Sequence, residues 1–149
     1  MIKIFRYGLL SFLILIGIAF LSLYFLGVSH FYKPQFVKNG VIEKEFDYVV
    51  LGSSTSLTTL DTKLIDSITG KKGLNISMDD STLSSHYLML QHFYASNKKT
   101  KTLVLAITPL DMAVINPVLN NNDYRFLPYI NKNYIYYYYK TFEKYNSKV

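Results

Sequence analysis

From Tyr7 to Val28 the chain reads YGLLSFLILIGIAFLSLYFLGV, 22 consecutive positions without a charged side chain. As a helix rising about 1.5 Å per residue, that run spans the roughly 30 Å of a hydrocarbon core. A small protein has no interior large enough to bury such a rod on all sides. A cleavable signal peptide has a shorter apolar stretch and a small-x-small site, and the VSHFYKP that follows offers no such site. The sequence has no cysteine, which rules out lipoprotein-type processing and disulfide staples alike. Residues 1–28 therefore read as one uncleaved membrane anchor, with the lipid bilayer as the first expected partner. Lys3 and Arg6 precede the span with no acid among them, whereas the stretch after it mixes Lys33 and Lys38 with Glu43, Glu45 and Asp47. That bias predicts a cytoplasmic N-terminus and an extracytoplasmic C-terminal domain, a single-pass protein of a bacterial cytoplasmic membrane.

Lysine and arginine number 16 against 10 acids, a formal net charge of +6. The lysines are scattered, with short runs at 71–72 and 98–101, and nothing resembles the basic stripe of a nucleic-acid-binding face. His30, His86 and His92 lack metal-ligand spacing, and the carboxylates form no two-metal pattern, so no metal and no cofactor is expected. A P-loop lysine and a G-x-G-x-x-G run are both missing, which argues against a nucleotide.

Residues 29–45, with Pro34 and Gly40 and no clean period, read as a linker. Residues 46–51 form a short β-branched and aromatic run, a buried strand. Asp61 is placed to cap a helix carrying Leu64, Ile65 and Ile68, which Gly70 closes. GLNIS at 73–77 is a second strand. Ser81 or Thr82 starts a longer helix with Leu83, Tyr87, Leu90 and Tyr94 on one face. TLVLAI at 102–107 is an unbroken apolar strand ended by Pro109. Continuous rather than alternating apolar strands, separated by helices, predict a parallel sheet covered on both faces. Residues 116–128 read as a polar loop. A terminal helix follows, with Ile135, Tyr138, Tyr139 and Phe142 on one side and Lys140, Glu143 and Lys144 on the other. No partner for those aromatics is evident, so the stripe reads as packing surface, a sugar-stacking face, or a patch prone to association.

The first strand runs straight into GSSTS, Gly52 to Ser56, and four consecutive hydroxyls exceed what a turn requires. In an open parallel sheet ligands bind beyond the carboxyl ends of the strands. SMDDS and TPLD should stand at that same end of the next two strands. The loop can serve as a phosphate cradle, as hydroxyls capping local amides, or as a serine nucleophile whose backbone amide faces an oxyanion.

DYVVLGSSTS resembles the first block of the SGNH/GDSL hydrolases, where Gly-Asp-Ser, or Gly-Ser-Ser in divergent branches, follows the first strand. GLNISMDDSTLSSHYLML is similar to the second block, and KTLVLAITPLD to the third strand and its loop. The likeness covers roughly residues 46–115 and is closest to the membrane-anchored branch acting on acyl groups of cell-wall polymers and exopolysaccharides. It implies a partial three-layer α/β domain, flavodoxin-like or SGNH-like, over 46–149. It also implies Ser54 as nucleophile, with Gly52, Ser53, Thr55, Asp80 and Thr108 as loop and oxyanion candidates. The family's Asp-x-x-His block does not occur here. The expectation is ester hydrolysis or acyl transfer on a cell-envelope glycan, incomplete in this chain. The alternative is a non-catalytic anchored subunit that binds a glycan or a membrane-protein partner.

With the anchor read as uncleaved, the chain should stay full-length in the membrane fraction. Protease added outside spheroplasts should remove its C-terminal part. A shortened soluble form, or a protected C-terminus, would contradict the topology.

Overall fold

The computed structural model describes residues 2–109, 111 and 119–146. Helix α1 (Ile2–Val28) is long and apolar enough to cross a membrane, and none of its apolar window is covered by the rest of the chain. Its C-terminal carbonyls are not left to solvent. Asn39 Nδ2 donates to the carbonyls of Gly27 (2.8 Å) and Ser29 (2.9 Å), and Tyr129 Oη donates to Gly27 (2.9 Å). These bonds satisfy orphan acceptors of the last turn and clamp the helix end to the domain.

Residues 29–45, expected as a linker, hold a short helix, α2 (Lys33–Gln35), and a π-helical turn (Phe36–Gly40). Gln35 and Val37 are fully buried, and Gln35 Nε2 donates to the carbonyl of Arg125 at 2.8 Å. Pro34 sits in the first helical turn, where its missing N–H costs nothing. Proline and glycine mark this segment as irregular in sequence, but contacts distant in the chain order it.

Strands β1 (Glu45–Gly52), β2 (Gly73–Asn75) and β3 (Lys99–Ala106) form a parallel sheet in the order β2-β1-β3. Helices α3 (Ser54–Thr59) and α4 (Thr62–Thr69) carry the chain from β1 to β2, and α5 (Leu83–Ala95) carries it from β2 to β3. The chain is thus a mixed α/β protein with one long apolar N-terminal helix and a small three-stranded parallel sheet. A 2-1-3 order places the two crossovers on opposite faces. Tyr48 accordingly turns to α4, donating to Asp66 at 2.7 Å, while Val49 and Leu51 join Leu88, Met89 and Phe93 of α5 in the core. Helix α4 has the ends read from the sequence. Asp61 accepts from the Lys63 and Leu64 amides, and Gly70 closes it at φ 65°, a left-handed conformation that suits glycine.

Three further expectations require correction. The stripe of α5 expected to pack inward does not: Leu83, Tyr87 and Tyr94 are exposed and Leu90 is only half-buried. The buried face is Ser85, His86, Leu88, Met89, His92 and Phe93. Two histidines on that face disguise it in a hydropathy reading, and their hydrogen bonds to other segments make their burial tolerable.

Strand β3 is not covered on both faces. Leu103, Val104 and Leu105 are each more than a third exposed, and on α4 Ile68 is 75 % exposed. A continuous apolar run records what a strand could bury, and among the described residues no helix lies over this one.

The polar loop expected at 116–128 is, from Asn121 to Tyr129, a 3₁₀ helix that buries Asp123, Arg125, Phe126 and Tyr129. Residues 112–118 lie outside the described part. Helix α6 (Asn133–Asn146) turns Ile135 and Tyr138 inward, with Tyr139 and Phe142 half-buried and Lys140 exposed, as its pattern indicates. The side chains of Glu143 and Lys144 are not among those described. The partner missing from the sequence reading is the core cluster between α5 and the 3₁₀ segment, so these four aromatics and aliphatics are packed rather than displayed.

Adjacent positions on α5 test its orientation. Phe93→Ala should remove about 3–5 kcal/mol of stability, and Tyr94→Ala, 49 % exposed, about 1 kcal/mol or less. Chemical denaturation of both variants in the same detergent checks the order, and the reverse order would show that the helix face is wrong.

Candidate functional site

A cleft of about 330 Å³ opens at the carboxyl ends of the three strands. The loop after β1 contributes Ser53, Ser54 and Thr55. The loop after β2 contributes Asp80, Ser81 and Thr82, and the segment after β3 contributes Thr108 and Asp111, with Asn120 at the rim. The candidates Ser53, Ser54, Thr55, Asp80 and Thr108 therefore share one cavity. Its position, where the strand order switches between β1 and β3, is where open α/β sheets bind ligands.

Gly52 lies beneath the cleft and is a structural requirement. A Cβ there would meet the carbonyl of Ala106 on β3 and the hydroxyl of Ser56. The hydroxyls that follow divide their work by burial. Ser56 is buried and donates to the Ser53 carbonyl, with Ser77 Oγ 2.9 Å away. Asn75, at the end of β2, donates to the carbonyls of Ser56 and Leu60 and accepts from the Ser77 amide. These bonds pin the turn after β1 to the end of β2. Ser53 is buried and donates to Asp111 Oδ2 at 3.4 Å. Ser54 is exposed at the first position of α3, and its hydroxyl makes no hydrogen bond among the described residues.

Asp111 went unmarked as a site residue. Its carboxylate accepts from the Thr108 amide (2.6 Å) and hydroxyl (2.8 Å) as well as from Ser53. The Thr-x-x-Asp spacing is close to a capping box, a signal present in TPLD. Ser81, within the SMDDS loop already placed at this end, and Thr82 and Asn120 also line the cleft and were not named as site residues.

Two adjacent carboxylates, Asp79 and Asp80, would repel a developing oxyanion if both faced it. The fold turns one away. Asp79 pairs with Arg125 Nη1 at 2.8 Å and Nη2 at 3.3 Å, and Asp80 accepts from Asn122 Nδ2 at 2.5 Å. Asp80 takes φ 44°, a left-handed conformation that aspartate adopts more readily than most residues. Arg125 is nearly buried, so its bidentate grip fixes the loop that forms one wall of the cleft.

None of the three histidines bonds to Ser54. His30 stands at the foot of α1. His92 is deep in the core, with Nε2 3.1 Å from the Pro34 carbonyl and Nδ1 2.8 Å from Tyr134 Oη. His86 is 2 % exposed, its Nε2 is 2.9 Å from Ser81 Oγ, and its Nδ1 has no partner. The Ser81 hydroxyl proton points to the Met78 carbonyl at 2.8 Å, so Nε2–H donates to Ser81 Oγ. That tautomer leaves an unpaired acceptor at Nδ1, which costs less than an unpaired N–H. It also makes His86 a brace for the cleft wall and not a base for Ser81. Among the described residues no group of three or more His, Asp or Glu side chains is placed to hold a metal.

No family model, curated protein or solved structure matches the chain.

Burial pushes the His92 imidazole down to about 4, below its ordinary 6.5, whereas the unfolded chain keeps the ordinary value. Between those values the unfolded state binds the extra proton, so this group's contribution is complete above pH 6.5 and is lost as pH falls toward 4. Its size is roughly 3 kcal/mol. Melting curves of the wild type and His92→Gln across this window should converge on acidification, and parallel curves would count against a buried neutral His92.

Proposed function

We propose that this chain is a membrane-anchored α/β protein of SGNH type that acts on acyl esters of a cell-envelope glycan, with Ser54 as the nucleophile. It would stand in a bacterial cytoplasmic membrane with its N-terminus inside and the cleft outside. The observation that supports this reading is Ser54 itself. Ser54 and Thr55 are the two hydroxyls of the buried-strand–turn–helix junction that are exposed and free of hydrogen bonds among the described residues. Both line a cleft walled by loops from all three strands, and Ser54 is the one at the third position of Gly-Ser-Ser. Its neighbours Ser53 and Ser56 are committed to holding the turn. The bonded pair Thr108 and Asp111 closes the far wall, and the Asp79–Arg125 pair keeps one carboxylate out of the space an oxyanion would occupy.

A second reading, a non-catalytic anchored subunit that binds a glycan or a protein, rests on one specific feature. The nearest carboxylate to the loop, Asp111, is held by Ser53 and Thr108 and makes no bond to Ser54, and a serine without a base is a poor nucleophile at neutral pH. The enzyme reading therefore requires a base from outside the described residues.

A fluorophosphonate probe distinguishes the two. The full chain alone should label weakly, and labelling should appear when solubilised envelope extract supplies the partner, be lost in Ser54→Ala and persist in Ser53→Ala. Labelling that survives Ser54→Ala would overturn the site. No labelling under any condition would favour the binding subunit.

A further inference from the structure

At the foot of α1 a second cavity, of about 210 Å³, lies between the last two turns of the helix, the π-helical turn and the turn before α6. Leu23, Tyr24 and Val28 form its apolar wall, and Lys38 and Lys132 form its polar one. The two lysines come from segments clamped to the helix end. Asn39, next to Lys38, bonds the carbonyls of Gly27 and Ser29, and Tyr129, three residues before Lys132, bonds that of Gly27. Pro128 packs against Gly27, where a Cβ would lie 3.3 Å from the proline ring. The backbone carrying both charges is thus held at the level where the uncharged run stops.

Lys38 and Lys132, both exposed where they line the cavity, call for an anion, and the chain does not supply one among its described residues. Its ion pairs there are Lys72–Glu43, Lys101–Asp47 and Arg125–Asp79. Lys38 Nζ instead sits 4.4 Å from the centre of the Tyr129 ring, a contact that orients the ammonium without neutralising it. Burial and the nearby Lys132 both push the Lys38 ammonium below its ordinary range, the response of a cation short of counter-charge.

We propose that this cavity binds the phosphodiester headgroup of an anionic membrane lipid, the lysines holding the phosphate and the acyl chains running down the α1 wall. Position favours a lipid over a free phosphate. One wall of the site is the apolar helix itself, and Tyr24 lies on it where amphipathic rings mark a bilayer interface. Bound in this way, the lipid would fix the angle between anchor and domain and so the height of the cleft above the membrane. The inference rests on α1 spanning the bilayer.

The test uses the full chain in nanodiscs made from equal parts of zwitterionic and anionic phospholipid, with the lipids that remain bound identified by native mass spectrometry. The wild type should retain the anionic lipid selectively. Lys38→Gln/Lys132→Gln should lose about tenfold in retention, whereas Lys63→Gln/Lys71→Gln, on and just after α4, should not. No lipid preference in the wild type, or unchanged retention in Lys38→Gln/Lys132→Gln, would overturn the proposal. The wild-type preference is an independent readout should that variant fold poorly. Displacement of the lipid by inorganic phosphate at equal concentration would also overturn it, as a free-anion site. Extraction of the protein from native membranes by alkaline carbonate would instead overturn the spanning reading, a failure visible before any lipid is measured.

Discussion

The domain depends on one strand being paired on both edges and buried on both faces. β1 bonds to β2 on one side and β3 on the other, and Val49, Val50 and Leu51 are almost completely removed from water. A strand in that position has no tolerance for a side chain at its carboxyl end, where β3 and the following turn close in. Gly52 meets that requirement, and its lack of a Cβ allows Ser56 to tuck beneath the turn and leaves Ser54 on the outside. The core position of β1 and the exposure of Ser54 thus have a common origin.

The same strand makes the domain asymmetric. On one face α5, the 3₁₀ segment and α6 supply a continuous core that includes Phe93, Phe126 and Ile135. On the other, α4 covers only part of the sheet, and β3 keeps apolar side chains exposed on both faces, Val104 on this side and Leu103 and Leu105 on the α5 side. Exposed apolar surface of this kind is commonly functional in soluble proteins, and it lies on the strand whose end supplies Thr108 and Asp111 to the cleft.

Helix α1 is joined to the domain by direct hydrogen bonds. Asn39 and Tyr129 hold the last carbonyls of α1, and Gln35 ties the intervening turn to Arg125, which in turn grips Asp79 at the cleft wall. A short chain of hydrogen bonds therefore leads from the end of the apolar helix to the loop beside Ser54. This is a connected path in the structure, and coupling along it is a separate matter for measurement.

Local chemistry was enough to read several elements directly. The long apolar helix follows from length and lack of charge, α4 from the aspartate and glycine that bound it, and the sheet's location from β-branched runs ending at turns. The inward side of α6 followed from its period, and the grouping of GSSTS, Asp80 and Thr108 from the rule that parallel strands present their following loops at one end. Other features needed distant parts of the chain. The inward face of α5 could not be read because His86 and His92 are polar by composition and are buried only through Ser81, Pro34 and Tyr134. The order in 29–45 and in the 3₁₀ segment comes from bonds such as Gln35 to Arg125, separated by 90 residues. Whether an apolar strand is covered depends on helices elsewhere, which is why β3 was misjudged. Sequence determined what each segment could bury or cap, because those properties reside in neighbouring residues. Tertiary structure decided which polar groups found partners and which apolar faces stayed open, because both depend on what the fold brings alongside.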